Sequence, residues 1–280
     1  MIRKSDLSIV TCIATCFLAY FFTIPFHEFI HLLTHVLYGN KVLMFSAGAV
    51  NAEVPNYAVM SAFDRIMLAG GSASIVNVIV GLILLAVLLK GKLGSVLRVF
   101  LIQLMGAHLS EGFGYFMIGG LFKAGDWGNV FAAFPNQPSF VAGMRIILSL
   151  IGCAGVAGLF FLLNYMSGYF IKDYEDKKDR MRTAFRLHLL MILISFPIGM
   201  IITLLSPVPS DVLNPGIGIL YNMVWLPFFW VYVYRSDECA ASKDKPFSVS
   251  ASAEAGLDSA GSRLGSHSDR YICFRTRNIL

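Results

Sequence analysis

Long apolar runs alternate with short polar segments along most of the chain. Each run is close to or above the roughly 20 residues that a helix needs to cross the hydrocarbon core of a bilayer. The pattern therefore predicts an all-α polytopic membrane protein with about six transmembrane helices. The predicted spans are Leu7–Tyr38, Ala62–Leu89, Ser95–Phe122, Val141–Tyr169, Leu187–Leu205 and Ile217–Tyr234.

Two stretches depart from this pattern. Residues 41–57 contain two short apolar segments separated by small residues, which suits a short hairpin or a re-entrant segment better than a spanning helix. A plain connector is an equally good interpretation of these residues. Residues 236–280 are rich in Ser, Ala and charge without apolar periodicity, so we predict a disordered cytoplasmic tail there. Residues 1–235 then form one membrane domain.

The composition excludes a soluble domain. The chain has 280 residues, of which 56% are hydrophobic and 14% charged, and its mean hydropathy is +0.69. A soluble domain of this size needs more charge to cover its surface. The net charge of +5 does not indicate nucleic-acid binding, because the basic residues lie between apolar runs. The five cysteines form no C-x-x-C pair and predict no disulfide framework.

The basic residues predict an orientation in the membrane. Lys and Arg are concentrated at the N-terminus, in the loop at 90–98 and in the segment 172–186, while the alternate loops carry few. Cytoplasmic loops of membrane proteins carry an excess of Lys and Arg. We therefore expect both termini in the cytoplasm and the protein in the cell membrane.

The first span contains the sequence His27-Glu28-Phe29-Ile30-His31, which has the form H-E-x-x-H. Residues four apart lie on one face of a helix, so His27 and His31 can point at one metal ion. The usual interpretation is a zinc hydrolase with Glu28 as general base. A chance match is the alternative, but ionisable residues are costly at membrane depth and usually functional there.

Other polar residues in the spans are candidates for the same site. His108 and Glu111 lie three apart in the third span and could be metal ligands, a polar pair or part of a water path. Asn77 in the second span is more typical of an interhelical hydrogen bond than of a catalytic group. The predicted topology places Asp126 on the same side of the membrane as the two histidines, so one ion could bind all three.

The motif and its setting resemble the site-2 protease-like intramembrane metalloproteases. The resemblance covers roughly residues 10–130, within the membrane domain at 1–235. In that family a membrane helix carries H-E-x-x-H and a later span supplies an aspartate as third zinc ligand. The resemblance implies that His27, His31 and Asp126 bind Zn²⁺. It also implies that Glu28 is the catalytic general base.

The resemblance is not complete around the third ligand. The family's aspartate lies in Asn-Pro-Asp-Gly or Leu-Asp-Gly, whereas this chain has Gly125-Asp126-Trp127-Gly128. Glu111 is the alternative third ligand, and Asp64 is a more remote one. Asn77 resembles the asparagine of a Gly-x-x-x-Asn motif but with different spacing, so it is a candidate for oxyanion stabilisation or for support of the ligands.

These features predict an intramembrane zinc metalloprotease that hydrolyses peptide bonds of membrane-embedded or membrane-proximal substrates. Its expected partners are a membrane protein or peptide substrate and the lipid bilayer, with no nucleic acid. The alternative is a transporter or an ion or proton pathway that uses the His/Glu cluster. A non-enzymatic scaffold that retains the motif is a further alternative.

Overall fold

The computed structural model describes residues 8–53, 55–171 and 176–189, together with positions 193, 194, 197 and 201. This part of the chain is mostly helical. Its helices are α1 (Ile9–Leu37), α2 (Ala62–Ile66), α3 (Ser72–Lys90), α4 (Ser95–Phe122), α5 (Asp126–Ala132), α6 (Pro138–Ser167) and α7 (Lys177–Ala184), and its strands are β1 (Val42–Phe45) and β2 (Val50–Ala52). The predicted sixth span and tail lie outside the described residues, and the predicted fifth span is described only in part.

Within the described residues, three helical segments are long and apolar enough to cross a membrane: Ile9–Leu37, Ala62–Lys90 and Pro138–Ser167. They coincide with the first, second and fourth predicted spans, so apolar helices of membrane-spanning length are confirmed at these three places. The predicted third span also forms a helix, α4, with the expected bounds. It is less apolar than the other three.

The more polar helix α4 lies at the centre of the bundle, where it packs against α6, α3 and α1. Glycines allow the helices to approach closely, as small residues do in membrane proteins generally. A Cβ atom at Gly112 would meet the backbone of Ser74 on α3, and one at Gly152 on α6 would meet the backbone of Met117. The central position of α4 keeps polar side chains such as His108 buried within the bundle.

The predicted second span is interrupted. A π-helical turn at Met67–Gly71 joins α2 to α3, and Gly70 within it has a φ of 141°. Residues with a Cβ atom rarely adopt this conformation, which explains a glycine at the kink. The N-terminus of α2 is capped by Ser61, whose hydroxyl accepts a hydrogen bond from the Asp64 backbone N–H.

A short hairpin follows α1, which is one of the structures that the sequence left open. Strands β1 and β2 are antiparallel, with Met44 opposite Asn51 and Phe45 opposite Val50, and the register is irregular between Val42 and Met44. Both strands contact α1. The hairpin, α2 and α5 therefore lie at the end of the bundle where α1 ends and α3 begins.

The opposite end of the bundle brings the basic loop before α4 close to the end of α6. The guanidinium carbon of Arg98, near the start of α4, lies 4.3 Å from the centre of the Tyr169 ring, just after α6. Arg98 also donates a hydrogen bond to the carbonyl of Gly91 in the preceding loop. The basic loop at 90–98 and the C-terminal end of α6 thus share one end of the molecule.

Candidate metal centre

The two histidines of the H-E-x-x-H motif converge as the helical spacing predicts. Both lie on α1, and their Nε2 atoms are 3.2 Å apart. The side chain of His27 is 3% exposed, while that of His31 is 12% exposed. The motif therefore places two imidazole nitrogens side by side in a largely buried position, facing the interior of the bundle.

Asp126 completes the group from the first residue of α5. Its Oδ2 atom lies 2.9 Å from Nε2 of His27 and 3.1 Å from Nε2 of His31. Burial opposes ionisation of this carboxyl, but the charge of His31 and the hydrogen bonds from both histidines outweigh it and hold the pKa of Asp126 well below its usual range. The Asp126 carboxylate thus lies within hydrogen-bond distance of both imidazoles.

The donor atoms fit a tetrahedral metal ion. The three atoms form a triangle with sides of 2.9, 3.1 and 3.2 Å. Ligand atoms about 2.0–2.1 Å from a tetrahedral zinc ion are themselves about 3.3 Å apart, so the triangle needs little adjustment to hold one. Within the described part of the chain, His27, His31 and Asp126 are the group of His, Cys, Asp and Glu residues close enough to hold a metal.

Glycines make room for Asp126. A Cβ atom at Gly70 would lie 2.8 Å from both the Cβ and the carbonyl oxygen of Asp126. Gly125, which precedes Asp126, has a φ of 61° and lies against the ring of Tyr115. The start of α5 can therefore approach the π-helical turn because Gly70 lacks a side chain, and it can approach α4 because Gly125 lacks one.

A tryptophan anchors the same end of α5. The indole Nε1 of Trp127 donates a hydrogen bond to the Ser74 hydroxyl on α3, at 3.1 Å. Its ring also packs against Phe116 of α4. These contacts hold α5 against two helices and fix the position of the carboxylate that precedes Trp127.

Asn77 lies behind His27, on the side away from the triangle. One end of its amide lies 2.8 Å from Nδ1 of His27, and the other end lies 2.6 Å from Nδ1 of His108. Asn77 is 0% exposed and His108 is 4% exposed. Because both ends of the amide face imidazoles, the geometry favours support of a ligand over stabilisation of an oxyanion.

Tyr115 is a site residue that sequence reasoning missed. Its ring stacks on that of His27, with centroids 4.8 Å apart and an angle of 26° between the planes. The available signal was helical spacing, since positions 108, 111 and 115 share one face of α4. Tyr115 covers one side of the His27 ring and restricts its rotation.

Glu28 and the other candidates lie outside the triangle. Glu28 is the next residue of α1 after His27 and is partly buried. Glu111 is not part of the group of potential ligands. The carboxylate of Asp64 instead accepts hydrogen bonds from Tyr38 and Ser61.

His35, one turn beyond the motif, is also engaged elsewhere. Its Nδ1 atom lies 3.0 Å from the amide nitrogen of Asn40, and that nitrogen also donates to the carbonyl of Glu53. His35 therefore connects the end of α1 to the hairpin.

Comparison of the chain with protein-family models, curated proteins and solved structures gives no match.

Proposed function

We propose that the protein is an intramembrane zinc metalloprotease of the site-2 protease-like type. The observation that carries the proposal is the triangle of donor atoms formed by an H-E-x-x-H motif and a distant aspartate inside an apolar helical bundle. His27, His31 and Asp126 would hold the metal. Two imidazoles and one carboxylate are a ligand set typical of catalytic zinc, which keeps a fourth position open.

When bound, zinc would act as a Lewis acid and lower the pKa of water to about 7, which supplies a nucleophile at neutral pH. Glu28 accepts the proton of the attacking water and returns it to the leaving amine, so its carboxylate is unchanged at the end of the reaction. Asn77 and Tyr115 hold the ring of His27 in place from two sides. Burial of the group excludes bulk water.

The depth of the group supports a membrane substrate. At about 1.5 Å per residue, His27 lies about 15 Å from the C-terminal end of α1. A substrate helix that reaches this depth has its carbonyls hydrogen-bonded within the helix, so it must unwind locally before hydrolysis. The proposed substrates are therefore peptide bonds of membrane-embedded or membrane-proximal segments.

We also propose that the chain has six spans and that both of its termini lie in the cytoplasm. The membrane that it crosses is proposed to be the cell membrane. In support, the basic loop at 90–98 lies at the end of the bundle where α6 ends. The metal group lies toward the opposite end, with the hairpin. In this proposed topology, the group lies in the outer half of the bilayer.

A transporter or proton pathway is the second candidate function. It is favoured by the buried polar connection from His27 through Asn77 to His108, which crosses three helices. Such connections between polar side chains are typical of proton relays in membrane proteins. Proton flux into proteoliposomes that survives replacement of Glu28 would support this function over proteolysis.

The direct test of the proposed protease compares the wild type with Glu28→Gln. We expect both proteins to bind about one zinc per chain, because Glu28 is not a ligand. Cleavage of co-expressed single-span membrane proteins should fall about 100-fold or more, the usual contribution of a general base. Glu53→Gln is the matched control, since this carboxylate pairs with Lys41 on the hairpin and lies outside the group. Cleavage by Glu28→Gln at the wild-type rate would refute the mechanism.

A further inference from the structure

Three buried polar side chains form a line from the candidate metal centre into the middle of the bundle. His27 on α1 contacts Asn77 on α3, which contacts His108 on α4. The two contacts, at 2.8 and 2.6 Å, have hydrogen-bond length. A buried polar group without a partner is costly, so the donors and acceptors of these three side chains must match one another.

Metal binding determines which atoms of these three side chains donate hydrogen bonds and which accept them. A neutral imidazole that binds a metal through Nε2 carries its proton on Nδ1 and donates it to a neighbour. The neighbour of Nδ1 in His27 is the Asn77 amide, which must then present its oxygen. The amide nitrogen consequently faces Nδ1 of His108, which accepts a hydrogen bond from it.

Without the metal, the opposite assignment of donors and acceptors gives the same atoms their hydrogen bonds. Nε2 of His27 then carries the proton and donates to Oδ2 of Asp126, at 2.9 Å. Nδ1 of His27 accepts from the Asn77 amide nitrogen, while the Asn77 oxygen accepts from Nδ1 of His108. The two arrangements differ by a half-turn of the amide, whose two ends have nearly the same shape, and by one tautomeric change in each histidine.

We propose that Asn77 and His108 are positioning residues that set the tautomer of His27, and that metal binding turns the Asn77 amide over. The proposal rests on the proposed metal site. His108 is essential to it, because an imidazole nitrogen can serve as donor in one arrangement and as acceptor in the other. A backbone carbonyl or a lysine in the same place would allow only one arrangement.

Gln103 is a second buried amide, and unlike Asn77 it has a purely structural role. Gln103 on α4 is also 0% exposed and also joins α4 to α1. Its nitrogen donates to the carbonyl oxygen of Cys12, which can only accept. The orientation of Gln103 is therefore fixed, and the residue has no contact with the three metal ligands. It provides the matched control for Asn77.

The test measures zinc affinity of the purified full-length chain by competition with a chromophoric chelator. We expect Asn77→Leu, which keeps the shape but has no acceptor, to weaken zinc binding about 10- to 100-fold. Asn77→Asp should recover most of this loss, because a carboxylate accepts from Nδ1 of both histidines. His108→Phe should cause a smaller loss, and Gln103→Leu should retain the wild-type affinity.

The visible spectrum of bound Co²⁺ provides a second measurement. Its ligand-field bands report the geometry at the metal, and we expect Asn77→Leu to shift them while Gln103→Leu does not. If Asn77→Leu binds zinc as tightly as the wild type, or if both Leu variants weaken it equally, the proposal is wrong. Should Asn77→Leu fail to fold, equal affinities of His108→Phe and Gln103→Leu would also overturn it.

His27→Ala separates this inference from the proposed function. If that variant binds zinc as tightly as the wild type, the metal site itself is wrong and the role of Asn77 falls with it. If His27→Ala loses zinc while the Asn77 variants do not, the metal site stands and only the positioning role is refuted.

Discussion

Asp126 and His31 are separated by 95 residues in sequence, yet their side chains meet at 3.1 Å. The competing carboxylate, Glu111, lies on the central helix α4 and is also partly buried. Only one of the two belongs to the triangle of donor atoms, and that is Asp126. At the scale of single residues, the geometry therefore separates two carboxylates that the sequence left as alternatives.

This difference leads to a prediction about zinc content. Apparent binding free energies of about 10–16 kcal/mol for four-ligand zinc sites correspond to about 3 kcal/mol per ligand, or about 100-fold in affinity. Asp126→Asn should therefore lower zinc affinity about 100-fold, whereas Glu111→Gln should leave about one zinc per chain. Metal analysis of the purified variants is the measurement. Retention of zinc by Asp126→Asn together with loss in Glu111→Gln would reverse the assignment.

The sequence predicted residue pairs within one helix better than contacts between helices. The approach of His27 to His31 follows from helical spacing alone. The contact between Asn77 and His108 could not be predicted, because it depends on how α3 and α4 are rotated about their axes. For the same reason Tyr115 was missed. The predicted topology placed Asp126 on the same side of the membrane as the histidines, but only the family resemblance favoured it over Glu111 as the third candidate ligand.

At the scale of elements, the π-helical turn is the feature that brings α5 to His27 and His31. Gly70 occupies a conformation that suits glycine, and it is also in contact with Asp126. Either condition alone excludes a larger residue. The turn therefore determines how closely the carboxylate can approach the two histidines.

Replacement of Gly70 tests this role. In Gly70→Ala the strained backbone costs about 1–3 kcal/mol, and the added methyl group would collide with Asp126. We expect a lower apparent melting temperature in detergent and a zinc affinity reduced about tenfold or more, the size of effect seen for residues that orient ligands. Gly158→Ala on α6 is the control.

The control should behave oppositely, because a Cβ atom at Gly158 meets nothing within 4 Å. Alanine there should leave zinc affinity unchanged and stabilise the helix by up to about 1 kcal/mol. Equal zinc affinities for Gly70→Ala and Gly158→Ala would show that the π-helical turn does not position Asp126.

The bounds of the elements were largely predictable, but the π-helical turn was not. Apolar runs and their polar ends located α4 at Ser95–Phe122 and α1 within two residues at its start. In a membrane helix a pair such as Gly70-Gly71 ordinarily indicates a surface for close helix packing, because small residues have that role in most membrane helices. Composition does not distinguish a packing surface from a kink, since glycine suits both.

At the scale of the whole molecule, the two ends of the described helical bundle carry different features. The hairpin and the metal group lie toward one end, and the basic loop between α3 and α4 lies at the other. A small interhelical loop that is rich in Lys and Arg is expected to stay in the cytoplasm. The hairpin is then expected outside.

Cysteine labelling in intact cells can measure this orientation. Ala47 at the tip of the hairpin and Lys92 in the basic loop are both exposed. We expect a membrane-impermeant maleimide to label Ala47→Cys in intact cells and Lys92→Cys only after permeabilisation, each above the level of the parent chain. The reverse pattern would place the metal group in the cytoplasmic half of the membrane.

The π-helical turn also limits how the length of the chain can change. Each residue added to or removed from a helix rotates everything after it by about 100°. Ser74 and Asn77 both follow the turn, so deletion of one residue within Met67–Gly71 would carry them away from Trp127 and His27. We therefore expect insertions and deletions to be excluded from these five positions, even where a substitution would be tolerated. The number of residues from the turn to Asn77 is as much a part of the site as its side chains.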